Sequence, residues 1–389
     1  MTAGVRFALW GEDEDHEEEQ LWASCEEAEG LFAEPPEPVR RRYELRGFTA
    51  EAALPAALGF LVLQPLHEHG RPAREWYLED ARVLATRARD GSRQDVTVEA
   101  VRPDDQPPHP AGAPSAAGFS LSDHQDRVLG HFRDLAEVLP VEEPPPHSVR
   151  LLGCAVRGPL REVLEGREER PLGYRHLDAL DAAGALLAPA GYPHIVDWQP
   201  SPRGPGLYDL TVHMEPQPPV VADIWTLWRE GRPAVPNLWA RFDDSGRALW
   251  LDPALAHRRG PDRPAGGTYH LDGRHVTDAD GFFCALGEAV NGPGGYFGRC
   301  LNGVSDALCG GFGATWPFTL VWHHHEVARR CLGVQPLVRS PATFPELLDF
   351  LREKGIDVGP AGGVPPRGGP WAGGGPPNPK NKNAPLVGR

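Results

Sequence analysis

No stretch of the 389-residue chain reaches 18 consecutive apolar residues, so no membrane-spanning helix is expected. No CxxC pair occurs. The six cysteines, Cys25, Cys154, Cys284, Cys300, Cys309 and Cys331, read as reduced, mostly buried thiols rather than a disulfide framework. Positive charge is in short supply: 39 bases face 54 acids, for a net charge of −15. That argues against duplex nucleic acid as a partner and for a basic protein surface. The opening MTAGVRFALWGEDED lacks a basic region followed by a long apolar stretch, so no secretory signal is expected and a cytoplasmic location is. Catalytic frames are missing too. Gly292 to Gly298 is glycine-rich but follows a helix and is not GxGxxG. Ser305 lacks a GxSxG frame, and no triad is readable. His323, His324 and His325 have no Asp or Cys partners at ligand spacing and read as a solvated loop after a strand. His67 and His69 flank Glu68 at a polar hairpin tip. No enzyme activity, small-molecule substrate, metal or cofactor is expected.

What is there is 40% hydrophobic, enough to build real cores, punctuated by 45 glycines and 43 prolines. Three breaks stand out: Arg102 to Gly118, Glu142 to His147, and His257 to Gly267. They divide the chain into a β-rich region 1–144 of unknown type, a second β-rich region 148–258, a unit at 267–358 and a Pro/Gly-rich tail 359–389, which has four bases and no acids and reads as disordered. The acid is uneven, with 13 acids and 5 bases in residues 1–50 but 10 acids and 7 bases in residues 267–358. Hairpins are expected for Phe7–Trp10 with Gln20–Cys25 across the acidic loop Glu12–Glu19, and for Leu58–Leu66 with Glu75–Leu78. Two more are expected around Asp181-Ala-Ala-Gly184 and Asp243-Asp-Ser-Gly246, since Asp and Gly supply tight-turn backbones. Two starts look alike, Tyr43-Glu-Leu-Arg-Gly-Phe48 and Val149-Arg-Leu-Leu-Gly-Cys154, a hint of internal duplication. A helix is expected near Ser122 to Val138. Trp225, Trp228, Trp239 and Trp250 read as the core of a β domain.

The C-terminal unit is more explicit. Tyr269 to Val276 reads as a strand and turn, and Thr277 opens a helix with Phe282, Phe283, Leu286 and Val290 on one face. A second helix, about Gly298 to Cys309, carries Leu301, Val304 and Leu308 inward. Phe318 to Trp322 is a short apolar strand. Thr343 and Glu346 make a capping box for a last helix that stops at Gly355, and Ile356 begins a final strand cut short by Gly359-Pro360. Strand-helix-helix-strand-helix-strand implies a small parallel sheet packed on helices.

Gly295-Tyr-Phe-Gly298, Leu301 and Leu308, Trp316-Pro317 opening the strand, Trp322 closing it and Gly355-Ile-Asp357 together resemble barstar, the inhibitor of barnase-type ribonucleases, over roughly residues 267–358. The fold class that follows is multidomain: β-rich N-terminal modules and a C-terminal barstar-like α/β domain. The resemblance implies a site where the second helix and its preceding loop enter a ribonuclease active site. Asp306 matches the carboxylate that replaces a substrate phosphate, and Tyr296 the aromatic that packs on the enzyme. Gly298, Asn302, Ser305 and Gly310 complete the partner-binding set, with Glu346, Asp349 and Glu353 as further candidates. The family's second acid on this helix is Asn302 here, an Asn is Cys300, and a Trp beside the key acid is Ser305, which weakens the acidic surface. The function implied is an immunity-type inhibitor of a basic microbial ribonuclease. The alternative is a non-inhibitory interaction module whose N-terminal β domains carry the binding.

Overall fold

The computed structural model describes residues 6–13, 16–51, 54–66, 75–102, 118–123, 126–138, 145–166, 175–258, 260–333 and 343–360. The tail beyond Pro360, the tip of the acidic loop at 14–15, most of the Arg102–Gly118 break and the His67–His69 turn lie outside them.

The chain starts with β1 (Arg6–Asp13), β2 (His16–Cys25) and β3 (Glu27–Glu29). Seven strands follow: β4 (Arg40–Ala50), β5 (Ala57–Pro65), β6 (Trp76–Ala88), β7 (Gln94–Val101), β8 (Phe119–Asp123), β9 (Val128–Phe132) and β10 (Asp134–Glu137). Their order is β4–β7–β6–β5–β8–β9, and β9 pairs back to β4, which closes a six-stranded barrel with β10 added beside β4. Closure leaves no free edges among the barrel strands. Inward-facing Tyr43, Phe48, Leu61, Trp76, Val98 and Phe132 fill it as a core of its own.

Next come β11 (Ser148–Val156), helix α1 (Gly158–Leu164), β12 (Arg175–Leu180), β13 (Leu186–Gly191), β14 (His194–Pro200) and β15 (Tyr208–His213). They do not form a sheet by themselves. The order is β13–β12–β1–β2–β11–β15–β14, with β3 on β11, and only Tyr192 and Pro193 separate β13 from β14. The first three strands and the last five therefore share one barrel, and the β4–β10 barrel is inserted between β3 and β11. The expected boundary between 1–144 and 148–258 does not follow this strand pairing. Sequence distance hides such pairing, because the partners of β1 lie on both sides of an inserted barrel.

The two barrels match strand for strand when β4–β10 is laid on β11, β12, β13–β14, β15, β1, β2 and β3. The look-alike starts mark the same place in each. Gly47 and Gly153 both have φ +64 at a register shift in β4 and β11. Each donates its N–H to a carboxylate on the neighbouring strand, Asp95 at 2.8 Å and Asp209 at 3.0 Å. Glycine is needed there because the left-handed backbone disfavours a Cβ.

Of the expected hairpins, β1–β2, β5–β6 and β12–β13 form. Two expectations are corrected. Ser122 to Val138 is not a helix but β8, a turn, β9 and β10. Asp126 sits at φ +58 in that turn, and a Cβ at Gly130 would meet Thr49 O and the Phe48 ring, so strand pairing overrides the helical spacing. Asp243-Asp-Ser-Gly246 is not a hairpin tip. Asp243 is an N-cap whose side chain accepts the Gly246 N–H at 2.9 Å, and it opens α3 (Asp244–Ala256), with α2 (Pro219–Trp228) before it. Trp225, Trp228, Trp239 and Trp250 are all buried, but they stand on these helices and a 3-10 turn rather than inside a β domain.

The C-terminal unit runs β16 (Thr268–Asp272), α4 (Ala279–Asn291), α5 (Leu301–Ala307), β17 (Phe318–His323), α6 (His325–Cys331), α7 (Phe344–Glu353) and β18 (Ile356–Pro360). The three strands are parallel with β17 in the centre. Trp322 on β17 is 1% exposed. The cap of α4 is Asp278, one residue later than expected, accepting the Gly281 N–H at 2.7 Å. The Thr343–Glu346 capping box forms. The last strand is not cut short, since Pro360 pairs opposite Trp322. His325 is not loop but the start of α6, after His324 turns the chain at φ +52. The core of this unit is continuous with that of the β1–β3/β11–β15 barrel through α2 and α3.

Candidate functional site

Helix α5 is short, and its sequence explains its setting. Cys300 caps it, with Sγ accepting the Gly303 N–H at 3.3 Å. Val304 and Ala307 are buried, Leu301 and Leu308 half-buried, so Asn302 and Asp306 lie exposed on the outer face one turn apart. Asp306 makes no ion pair among the described residues. Ser305 is half-buried and its hydroxyl donates back to Leu301 O at 3.2 Å, so it is spent on its own helix. Gly298 takes φ +101 where a Cβ would meet Val304 N at 2.6 Å, which lets the loop lie flat on the helix.

Tyr296 is placed differently from a surface aromatic. It is 6% exposed and faces Phe312 at 6.0 Å between ring centroids. Asn291 Nδ2 donates to both Tyr296 O and Phe312 O at 2.8 Å, locking the two loops around α5 together. Burial pushes the Tyr296 hydroxyl above its ordinary pKa.

Residues upstream of the unit complete this cover. The Arg258 guanidinium lies 4.9 Å over the Phe312 ring. Asp252 on α3 accepts from Arg299, next to α5, at 2.6 Å, and burial holds the Asp252 carboxyl above its usual range despite that partner. Asp262 accepts the N–H groups of Gly311 and Gly313, each at 2.7 Å, and those bonds pull its pKa down. Gly310, at φ +115, sits against the same carboxylate. Arg263 hydrogen-bonds Val290 O and pairs beside Ala314. The segment read as the linker His257–Gly267 is thus fastened along the unit. Asp252, Arg258 and Asp262 escaped the sequence reading because a Pro/Gly-rich spacer and a lone helix carry no pattern that marks them.

The further candidates on α7 are all exposed but not equivalent. The Glu346 carboxylate accepts from Thr343 N and Oγ1 in the capping box. Asp349 accepts from Arg352 at 3.2 Å. Glu353 has no ion pair among the described residues.

A small sheet on four helices, with an exposed carboxylate on the second helix after an aromatic-glycine loop, is the arrangement on which a comparison with known families turns. The model of the barstar family, described as barstar (barnase inhibitor), matches residues 267–358. The chain carries a barstar-like domain. The match takes in less than a quarter of the chain, and no curated protein or solved structure matches it. The family is one of inhibitors rather than catalysts. Among the described residues, no group of three or more His, Cys, Asp or Glu side chains could hold a metal, and no helix is long and apolar enough to cross a membrane.

Proposed function

We propose that the barstar-like domain binds a basic microbial ribonuclease through the outer face of α5 and blocks its active site, in an immunity-type role in the cytoplasm. The observation that carries this reading is Asp306: exposed, without an ion pair among the described residues, on a helix held rigid by the loops at both its ends. A carboxylate so placed can enter a cluster of cations without first giving up a partner. The test is inhibition and binding kinetics of the full chain against purified barnase-type ribonucleases. Asp306→Ala is expected to weaken binding by well over tenfold, or more than about 1.4 kcal/mol, and mainly through faster dissociation. An Asp306→Ala protein that binds as tightly as the parent overturns the proposal.

The second reading, a non-inhibitory interaction module, draws on one observation. The aromatic end of the face is closed by Arg258, Phe312 and the Arg299–Asp252 pair, so a partner meets a narrower surface than the resemblance implies. Full-chain binding that ignores both Asp306 and ribonuclease active-site ligands would favour it.

A further inference from the structure

The equivalence of the two barrels exposes a chemical difference at one position. In the inserted barrel, β4 and β9 pair Thr49 with His131 and Ala50 with Gly130. One step further along that register Phe48 faces Phe132, and both are buried. In the other barrel the same two strands are β11 and β2, which pair Ala155 with Ser24 and Val156 with Ala23. The register resumes unchanged in β3, with Leu152 opposite Glu27 and Leu151 opposite Ala28. Between these stretches Cys154 and Cys25 stand directly opposite each other. They are 0% and 2% exposed, and their sulfurs are 2.7 Å apart. Residues directly opposite on antiparallel strands have Cα atoms about 4.5–5.5 Å apart, inside the range of about 4.4–6.8 Å that a disulfide spans.

We propose that Cys25 and Cys154 form a redox pair, a dithiol in a reducing cytoplasm and a disulfide when the chain folds under oxidising conditions, formed by exchange with a small-molecule disulfide as β11 docks onto β2. One thiolate attacks the small disulfide and expels a small thiol, leaving a mixed disulfide on the protein. The second thiolate attacks the protein sulfur of that intermediate and expels the other small thiol. The protein dithiol loses two electrons, the small disulfide gains them, and the two protons end on the released thiols. The timing follows from burial. In the closed barrel the hydrogen bond between the two thiols and their desolvation push the Cys154 thiol well up, so it reacts slowly. Before closure both are accessible. The bridge joins residues 129 apart and encloses the whole inserted barrel, fastening the place where the chain leaves for the insertion to the place where it returns. Constraint of so long a loop in the unfolded chain favours the folded state.

The experiment refolds the full chain from denaturant in a mixture of reduced and oxidised glutathione, then blocks and counts thiols under denaturing conditions. The expected result is a fall from six free thiols to four, with one cross-linked peptide joining Cys25 to Cys154. The thermal midpoint of this form should drop on reduction. Cys25→Ser, Cys154→Ser and the double variant should each lose the cross-link and the reductant-dependent drop. Peptide mapping of the unaltered protein decides the matter even if a variant fails to fold. Six free thiols after oxidative refolding, or a bridge that uses Cys300 or Cys309 instead, overturns the proposal.

Discussion

The two barrels share a strand plan but not a core. The inserted barrel, β4–β10, closes on side chains drawn entirely from residues 43–135. The other, built from β1–β3 and β11–β15, is one continuous core with α2, α3 and the barstar-like domain. The junction is aromatic. Trp225 meets Phe7 at 6.3 Å and Phe32 at 5.4 Å, Trp228 meets Trp250 at 5.2 Å, and Trp239 faces His275. A buried hydrogen bond adds to it, His257 Nε2 to Asp181 Oδ2 at 3.3 Å. Arg232 then hydrogen-bonds the carbonyls of Asn291, Gly292 and Pro293 at the C-terminal end of α4. The same topology thus serves once as an autonomous insert and once as a platform for another domain. The joined barrel differs in receiving large aromatics from the flanking helices, Trp225 against Phe7 of β1 among them.

The comparison breaks most sharply on core truncation. Trp228→Ala and Trp76→Ala each empty a buried site and should each cost about 3–5 kcal/mol. Their reach should differ. Trp228→Ala should lower the unfolding of the barrel and the barstar-like domain together, leaving the inserted barrel's transition in place. Trp76→Ala should lower only the inserted barrel. Urea titration followed by native-state hydrogen exchange separates the two. A Trp76→Ala effect that spreads to protection in α4 and β17 would show that the cores are coupled after all.

A smaller effect tests whether the shared bulge matters equally. Asp95→Ala and Asp209→Ala each leave a bulge glycine N–H without its carboxylate, at a cost of about 1–3 kcal/mol. Similar losses in the two barrels are expected, read as shifts in urea midpoint at constant slope. A loss confined to Asp95→Ala would trace the effect to its additional partner, Arg89, at 2.7 Å.

Much of this was legible where the signal is local. The Asp181–Gly184 turn, the Thr343–Glu346 capping box and the inward row Leu301, Val304 and Leu308 each lie within one or two turns of chain. The resemblance carried Asp306 onto the outer face of α5 on the same local pattern. What escaped was set by distant partners. Gly130 reads as a helix residue until Phe48 is known to press against it. Asp243-Asp-Ser-Gly246 suits a hairpin or an N-cap, and burial of Trp250 decides for the cap. Tyr296 reads as a surface aromatic until Arg258 and Phe312 close over it.

The smallest expected effect contrasts two carboxylates by sign. Asp95 in the inserted barrel has its pKa lowered, first by the Gly47 N–H, so its contribution is present above about pH 4 and is lost as pH falls. Asp280 on α4, in the joined body, is pushed up to about 6, chiefly by burial and then by Asp278 and Asp244, while Arg299 and Arg247 pull it down. From about pH 4 to 6 the folded state therefore holds the Asp280 proton more tightly than the unfolded chain does. Stability from this group falls as pH rises through that window, and neutral pH carries the cost of the charged form. Asp280→Asn should raise the stability of the joined body at pH 7.5 by less than about 1 kcal/mol, since solvent screens a half-exposed side chain. At about pH 3, below the unfolded carboxyl pKa of about 4, the variant and parent should melt together. The inserted barrel, followed by exchange in β4 and β7, should not respond to Asp280→Asn at either pH. A variant less stable than the parent at pH 7.5 would mean that the Asp280 charge is favoured by the N-terminus of α4 more than burial opposes it.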